Sequence, residues 1–128
     1  MTMRSFFILG LMVVASVANA QVIFVVGPRA GVTSAQLSQR EVYNLARNAA
    51  DAYTLKVARA DAEYRRALEN AGIDPSIDTS GEILNAVVYA AVVKREEAYR
   101  AAIPDAARET VATCRKLCYV EVEGRTYQ

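Results

Sequence analysis

The sequence has no histidine and no tryptophan, and only two cysteines among its 128 residues. The absence of histidine removes the commonest general base, a frequent metal ligand and the side chain that titrates near neutral pH. Catalytic mechanisms that depend on a histidine side chain are therefore excluded. The sequence also lacks internal repeats, low-complexity tracts and a basic stripe.

An excess of charge of one sign is absent as well. The whole chain has 15 Lys and Arg residues against 14 Asp and Glu, and setting aside the first 20 residues, which include Arg4, leaves 14 of each. A neutral chain lacks the electrostatic footprint of a dedicated nucleic-acid binder and the polybasic attraction to anionic lipids. We therefore expect no nucleic acid as a partner and no such attachment to a membrane.

The first 20 residues have the pattern of a secretory signal peptide. A positive residue, Arg4, precedes the apolar stretch Phe6–Val17, and the small-residue site Ala18–Ala20 follows. This pattern predicts a cleaved leader over residues 1–20, a single mature domain over residues 21–128 and a secreted or periplasmic location. The alternative is a retained membrane anchor, because Phe6–Val26 is long enough to span a bilayer if it is not cut.

The first long helix is predicted over Ser34–Ala71. Thr33 and Gln36 form a capping box at its start, and Gly72 stands where a C-terminal capping glycine is expected. Apolar residues recur within it at alternating spacings of four and three, which is typical of a coiled-coil-like seam. The seam residues are Val42, Ala46, Ala49, Tyr53, Val57, Ala60, Tyr64, Ala67 and Ala71.

A second helical arm is predicted over Ser80–Leu117. Thr79 and Glu82 form its capping box, and Pro104 stands within it. Proline either begins a new helix at its first turn or kinks a continuing one. We expect two helical segments that meet at a bend at Pro104.

Short strands are predicted on both sides of the helices, at Val22–Val26 and Tyr119–Glu123. The two helical arms have equal predicted lengths of 38 residues, so the simplest packing is a long antiparallel hairpin. Both strands then fall at its open end, where they can pair antiparallel. The predicted fold class is mainly α. Because a two-stranded ribbon is only marginally stable by itself in water, the paired strands must pack on the helices or be extended by another chain.

The two cysteines, Cys114 and Cys118, are predicted to form a disulfide, because exported proteins fold in an oxidising compartment. A spacing of four residues places their Cα atoms near the upper end of disulfide reach, and a helix that ends there eases closure. Such a bond staples the end of the second arm. Thiol–disulfide exchange is an alternative, although the spacing is one residue longer than the oxidoreductase pattern. Pairing between chains is a further alternative.

A strongly apolar segment, Ile83–Val93, lies in the second arm and has Asn85 as its only polar residue. One of its faces is expected to pack on the first helix, whereas the other has no partner within the hairpin. We expect that second face to contact a second copy or another protein, unless the segment after Pro104 folds back over it. The predicted partner-binding residues are Ile83, Leu84, Val87, Val88 and Val92.

Two other features resemble sites but lack essential parts. The loop Gly27–Ser34 follows a strand and precedes a helix, yet it has neither the spacing nor the lysine of a nucleotide-binding P-loop. Acidic residues such as Asp61 and Glu96 stand four residues before arginines, as in a solvated helix face with ion pairs. No cofactor, no metal and no catalytic residue are therefore predicted.

These observations favour an exported, non-enzymatic structural or adaptor protein that self-associates or docks on a protein partner through an apolar helix face. A small binder or inhibitor of an extracytoplasmic enzyme is the alternative, with the loop Gly72–Thr79 or the C-terminal tail as its contact. A third hypothesis is that the protein acts in thiol–disulfide exchange.

Overall fold

The computed structural model describes residues 11–17, 20–75 and 86–128, and gives only the backbone for residues 11–17 and 20. The described chain is mainly helical with terminal strands, as predicted. Its elements are β1 (Leu11–Val17), β2 (Ala20–Pro28), α1 (Gln39–Asn70), α2 (Ala86–Thr113), β3 (Cys118–Val122) and β4 (Arg125–Tyr127). They form two compact units, one made of the described residues through Thr54 together with Ile103–Gln128, the other of Leu55–Ala102.

The first unit contains an antiparallel sheet in the order β1-β2-β3-β4. The predicted pairing of the N- and C-terminal strands is confirmed, with Val25 opposite Glu121 and Gly27 opposite Tyr119. Two further strands were not predicted. β1 lies inside the predicted leader, and β4 follows a two-residue turn.

One face of this sheet forms the core of the first unit. Its residues alternate along the strands with exposed or half-buried ones, as expected of a sheet packed on one side. The ring centroid of Phe24 lies 5.9 Å from that of Tyr53 on α1, in a tilted arrangement. The buried sheet residues are Val22, Phe24, Val26, Val120 and Val122.

The predicted apolar seam of the first helix is confirmed over most of its length. Six of its residues are buried, namely Val42, Ala46, Ala49, Tyr53, Val57 and Ala60. Tyr64 and Ala67 are half-buried, whereas Ala71 is exposed because it lies beyond the last helical residue, Asn70.

The predicted start of the first helix is wrong by five residues. Thr33 donates its main-chain N–H to Gln36 Oε1 at 2.9 Å, but this pair closes only a single turn. The helix begins at Gln39, where the Ser38 N–H donates to Glu41 Oε1 at 2.8 Å and the Glu41 N–H donates to Ser38 Oγ at 3.1 Å. This second capping box satisfies the helix's own free N–H groups.

The end of α1 has the predicted glycine cap. Gly72 has a φ of 77°, and its N–H donates to the Glu69 carbonyl while the Ile73 N–H donates to the Leu68 carbonyl. These two bonds form a Schellman motif, and Ile73 packs against the cluster that contains Leu68, as such motifs favour. The predicted capping box Thr79–Glu82 lies outside the described residues.

Helix α2 continues through Pro104, so the two segments expected to meet there form one helix. The helix ends at Thr113 instead of Leu117, because Arg115 and Lys116 adopt positive φ values of 53° and 62°. Such values lie in the left-handed region and stop a right-handed helix. The chain then turns into β3.

Candidate functional site

The second unit is an antiparallel pair of helical segments held by a small apolar cluster. Leu68 of α1 is fully buried, and it packs with Val88 and Ala91 of α2, which are 3% and 7% exposed. Four partly buried residues surround these three, namely Tyr64, Ala67, Ile73 and Val92. The predicted packing of this part of the second arm on the first helix is therefore present.

The opposite side of α2 carries exposed apolar residues. Val87, Tyr89 and Val93 are 48%, 57% and 36% exposed. At 100° per residue these side chains fall on one arc of the helix, with Ala86 and Ala90 between them, while Val88 and Ala91 fall on the other. We call the surface formed by Ala86, Val87, Tyr89, Ala90 and Val93 the α2 patch.

The structure divides the predicted partner-binding residues between these two sides. Val87 belongs to the α2 patch. Val88 is buried in the apolar cluster and Val92 is half-buried against it, so both contribute to the core of the second unit. Ile83 and Leu84 lie outside the described residues. Tyr89 and Val93 also belong to the α2 patch, although neither is among the predicted partner-binding residues.

A polar contact joins the two helices further along the hairpin. The Tyr99 hydroxyl on α2 donates a hydrogen bond to Asp61 Oδ1 on α1. Burial, with this bond and the Asp61 charge, raises the pKa of Tyr99 to about 12. The phenol therefore stays protonated at neutral pH and serves as a donor. Sequence reasoning assigned Asp61 to an ion pair with Arg65 and missed this contact, because its partner is 38 positions away.

Arg95 lies between this polar contact and the apolar cluster. Its guanidinium carbon is 3.9 Å from the ring centroid of Tyr64 and 5.8 Å from that of Tyr99, so it interacts with aromatic faces. Among the described residues its buried Nε has no hydrogen-bond partner. A cavity of about 60 Å³ adjoins it. The cavity is lined by Ala60, Glu63, Tyr64, Ala67, Ala91, Lys94, Arg95 and Ala98.

This cavity is small and is lined by charges of both signs, Glu63 against Lys94 and Arg95. It has room for a few water molecules, which need polar partners of this kind. Its volume is well below that of a usual pocket for an organic ligand, so the stacking contact beside it is better explained as one that holds the two helices together.

The cysteines form a disulfide within the chain, at the junction of α2 and β3. The Cα atoms of Cys114 and Cys118 are 6.0 Å apart, and the residues are 6% and 0% exposed. The bond spans the left-handed turn at Arg115 and Lys116, where the helix ends. The predicted staple at the end of the second arm is present, and pairing between chains is not needed to satisfy either cysteine.

A shallow groove of about 210 Å³ lies beside this disulfide in the first unit. Its walls come from the start of α1 and the end of α2: Leu37, Glu41, Asn44, Leu45, Asn48, Thr113 and Cys114. Hydrogen bonds from the Ser38 main chain and with its side chain lower the pKa of Glu41. That carboxylate is thus occupied in capping α1, which is a structural role.

The described residues hold no group of three or more acidic or cysteine side chains suited to binding a metal ion. Neither helix, over the same residues, has an apolar stretch sufficient to cross a membrane. Comparisons with protein-family models, curated proteins and solved structures found no match.

Proposed function

We propose that this chain is an exported, non-enzymatic structural or adaptor protein that docks on a protein partner, or on a second copy, through the α2 patch. The observation that carries the proposal is the exposure of Val87, Tyr89 and Val93 on one arc of α2. In the proposal the leader over residues 1–20 is cleaved and the mature protein is secreted or periplasmic.

The chemistry of the α2 patch supports this role. An uncharged stretch, Ala86–Val93, is followed directly by the exposed charged residues Lys94, Glu96 and Glu97. An apolar centre with a polar rim, including an aromatic side chain, is the usual anatomy of a protein interface. The patch is formed on a helix whose other side is anchored in the apolar cluster, so it is held in place before any partner binds.

The polar features of the described residues favour structural roles. Tyr99 and Asp61 bond to each other, Arg95 stacks on tyrosine rings and Glu41 caps a helix. Cys114 and Cys118 are buried in a disulfide, whereas thiol exchange needs an accessible sulfur. None of these assignments explains the exposed apolar side chains of the α2 patch, which lie together on one arc of the helix.

The test compares charge substitutions inside and outside the patch. The chain is expressed with its own leader, and sedimentation velocity is measured over a range of concentrations. Self-association through the patch predicts that Val87→Arg with Val93→Arg abolishes the assembly. Leu55→Arg is the matched control, because Leu55 is apolar and 51% exposed but lies on α1. Circular dichroism establishes that all variants are folded.

Docking on a different protein is tested by photo-crosslinking in the native compartment. A photoreactive residue at position 89 is expected to give a discrete adduct that the same residue at position 55 does not give, and the double arginine variant should lose it. The proposal is wrong if the double arginine variant sediments like the wild type at every concentration and position 89 yields no adduct beyond that at position 55.

A further inference from the structure

The outer edge of strand β2 is covered by a segment that the sequence predicts to be removed. β1, Leu11–Val17, lies wholly within the predicted leader and pairs residue by residue with positions 20–26. Cleavage after Ala20 leaves β2 bonded to β3 over Val25–Pro28 and without a neighbouring strand on its other side. This edge is a different surface from the α2 patch, and an inference about it rests on the leader cleavage in the proposed function.

The register shows which main-chain groups face that edge. β3 and β4 are joined by a two-residue turn, so Val122 and Arg125 form the hydrogen-bonded pair that closes it. Because hydrogen-bonding direction alternates along a strand, Glu121 directs its N–H and C=O towards β2, where it is opposite Val25. Val25 and Gly27, alternate residues of β2, therefore bond to β3.

A hydrogen bond further along the chain agrees with this alternation. The N–H of Arg29, four residues after Val25, donates to the Leu117 carbonyl at 2.9 Å. The intervening residues of β2 thus direct their N–H and C=O groups at the outer edge. Val22, Phe24 and Val26 are the residues that lose main-chain partners when β1 is removed, and unpaired groups on an edge strand are a template for another strand.

The central part of β2 has nothing that protects this edge once it is open, since the proline of the strand, Pro28, is its last residue. The stretch Val22–Val26 has no charged residue and no proline, the devices by which natural edge strands avoid pairing. Its inward side chains, Val22, Phe24 and Val26, are 4%, 0% and 0% exposed while β1 is in place, and Val25–Pro28 is bonded to β3. Ile23, on the outer face, is 43% exposed.

The sequence of β2 is complementary to itself. If Phe24 is opposite Phe24 of a second copy, Val22 is opposite Val26 and Ile23 is opposite Val25, so every cross-strand pair is apolar. This arrangement uses the same alternate residues that bond to β1, where Phe24 is opposite Val13. Both copies lose β1 in the same cleavage, and a mature chain with equal numbers of acidic and basic residues has no net charge to oppose pairing.

We propose that removal of residues 1–20 opens the outer edge of β2 and that two mature chains then pair antiparallel through these edges, centred on Phe24. The two three-stranded sheets become one sheet in the order β4-β3-β2-β2-β3-β4. The interface is symmetric, with the same residues contributed by both copies.

The test uses protein made with its own leader, and mass spectrometry establishes whether it begins at Gln21. The mature protein is expected to sediment as a dimer, and Ile23→Lys is expected to raise the dissociation constant about tenfold or more, since edge lysines disfavour strand pairing. Leu55→Lys is the matched control and should leave the dimer unchanged. The double arginine variant at positions 87 and 93 should also leave it unchanged, which separates this interface from the α2 patch.

Hydrogen exchange provides a readout specific to the edge. The amides of Val22, Phe24 and Val26 are expected to exchange slowly at concentrations where the dimer forms and at least about tenfold faster on dilution. The amides of Val25 and Gly27, bonded to β3, should be protected at both concentrations. A protein that retains residues 1–20, a monomeric mature chain, or a dimer whose edge amides are unprotected would overturn the proposal.

Discussion

The phenol of Tyr99 on α2 donates a hydrogen bond to the carboxylate of Asp61 on α1, across the helical pair of the second unit. Beside it, Arg95 stacks on Tyr64 one helical turn further along. The two contacts and the apolar cluster at Leu68 follow an antiparallel register: as α1 is followed from Asp61 to Leu68, its partners on α2 run from Tyr99 back to Ala91 and Val88. The α2 patch is presented by the helix that these contacts hold.

Replacement of Tyr99 by Phe should lower the free energy of unfolding by about 1 kcal/mol. The change removes one hydrogen bond to a charged acceptor and leaves Asp61 half-buried, where solvent replaces only part of the interaction. Tyr89→Phe is the control, because Tyr89 is 57% exposed and its change should stay within about 0.5 kcal/mol. Urea unfolding of the wild type and the two variants measures both changes in the free energy of unfolding. Equal losses in the two variants would contradict the assigned role of Tyr99.

The same phenol makes stability depend on alkaline pH. Its pKa is raised from 10.0 to about 12 in the folded chain, mainly by burial and by the bond to Asp61. The folded state therefore holds this proton more tightly, and the associated stability is fully present below about pH 10 and is lost as the pH rises towards about 12.

Tyr53 and Tyr119 also have raised pKa values, mainly because of burial, so the whole chain loses stability in alkali. The contribution of Tyr99 is isolated by comparing the wild type with Tyr99→Phe. The difference between their unfolding free energies should shrink between about pH 9 and about pH 11. A difference that is constant over this range would show that Tyr99 titrates alike in the folded and unfolded chains.

The sequence pattern predicted the helical seam, the strand pairing and the cysteine staple because each depends on periodicity or spacing. It misplaced the start of α1, since Thr33–Gln36 and Ser38–Glu41 have the same capping pattern and only the second is followed by a continuous helix. β4 was missed because it has three residues and no apolar alternation. The sequence signal for β4 was Gly124, because glycine is favoured in two-residue hairpin turns; in the structure Glu123 and Gly124 both have positive φ there.

For the candidate site, the sequence located the apolar segment but not the division between its two sides. Val87 and Val88 are identical in type and adjacent, and only the rotation of α2 against Leu68 makes the first exposed and the second buried. The Asp61–Tyr99 contact depends on the same register. A helix pattern gives the width of an apolar surface, whereas packing decides which part of it remains accessible.

Leu68 and Leu55 offer a direct test of this packing, because they are the same residue on the same helix. Leu68 is fully buried in the cluster with Val88 and Ala91, while Leu55 is 51% exposed. Leu68→Ala should lower the free energy of unfolding by about 3 kcal/mol through lost burial and a cavity. Leu55→Ala should change it by less than about 1 kcal/mol, and chemical denaturation that ranks the two in the opposite order would contradict the packing.

Reduction of the Cys114–Cys118 disulfide should destabilise the fold without abolishing it. The bond closes a short loop of about five residues, for which the chain-entropy relation gives a contribution of about 2 kcal/mol. Denaturation with and without a phosphine reductant measures the loss. The double variant Cys114→Ala with Cys118→Ala should be insensitive to the reductant. If the wild type is equally insensitive, the bond does not contribute to stability.

The turn at the end of α2 offers a stabilising substitution. The Arg115 N–H donates to the Ala112 carbonyl and the Lys116 N–H donates to the Val111 carbonyl, the two bonds of a Schellman motif. The capping position is therefore occupied by Arg115 with a φ of 53°, where glycine has no steric penalty. Arg115→Gly should raise the free energy of unfolding by about 0.5–1 kcal/mol, after allowance for the greater freedom of glycine in the unfolded chain.

The control for Arg115→Gly is the same change at Arg100, an exposed residue within α2. There glycine replaces a good helix former, so Arg100→Gly should lower the free energy of unfolding by about 1 kcal/mol. Opposite signs for one substitution on one helix would establish that the backbone conformation, not the loss of a charge, determines the effect. Thermal and urea unfolding give the signs, and a destabilising Arg115→Gly would mean that the chain leaves α2 by a different turn.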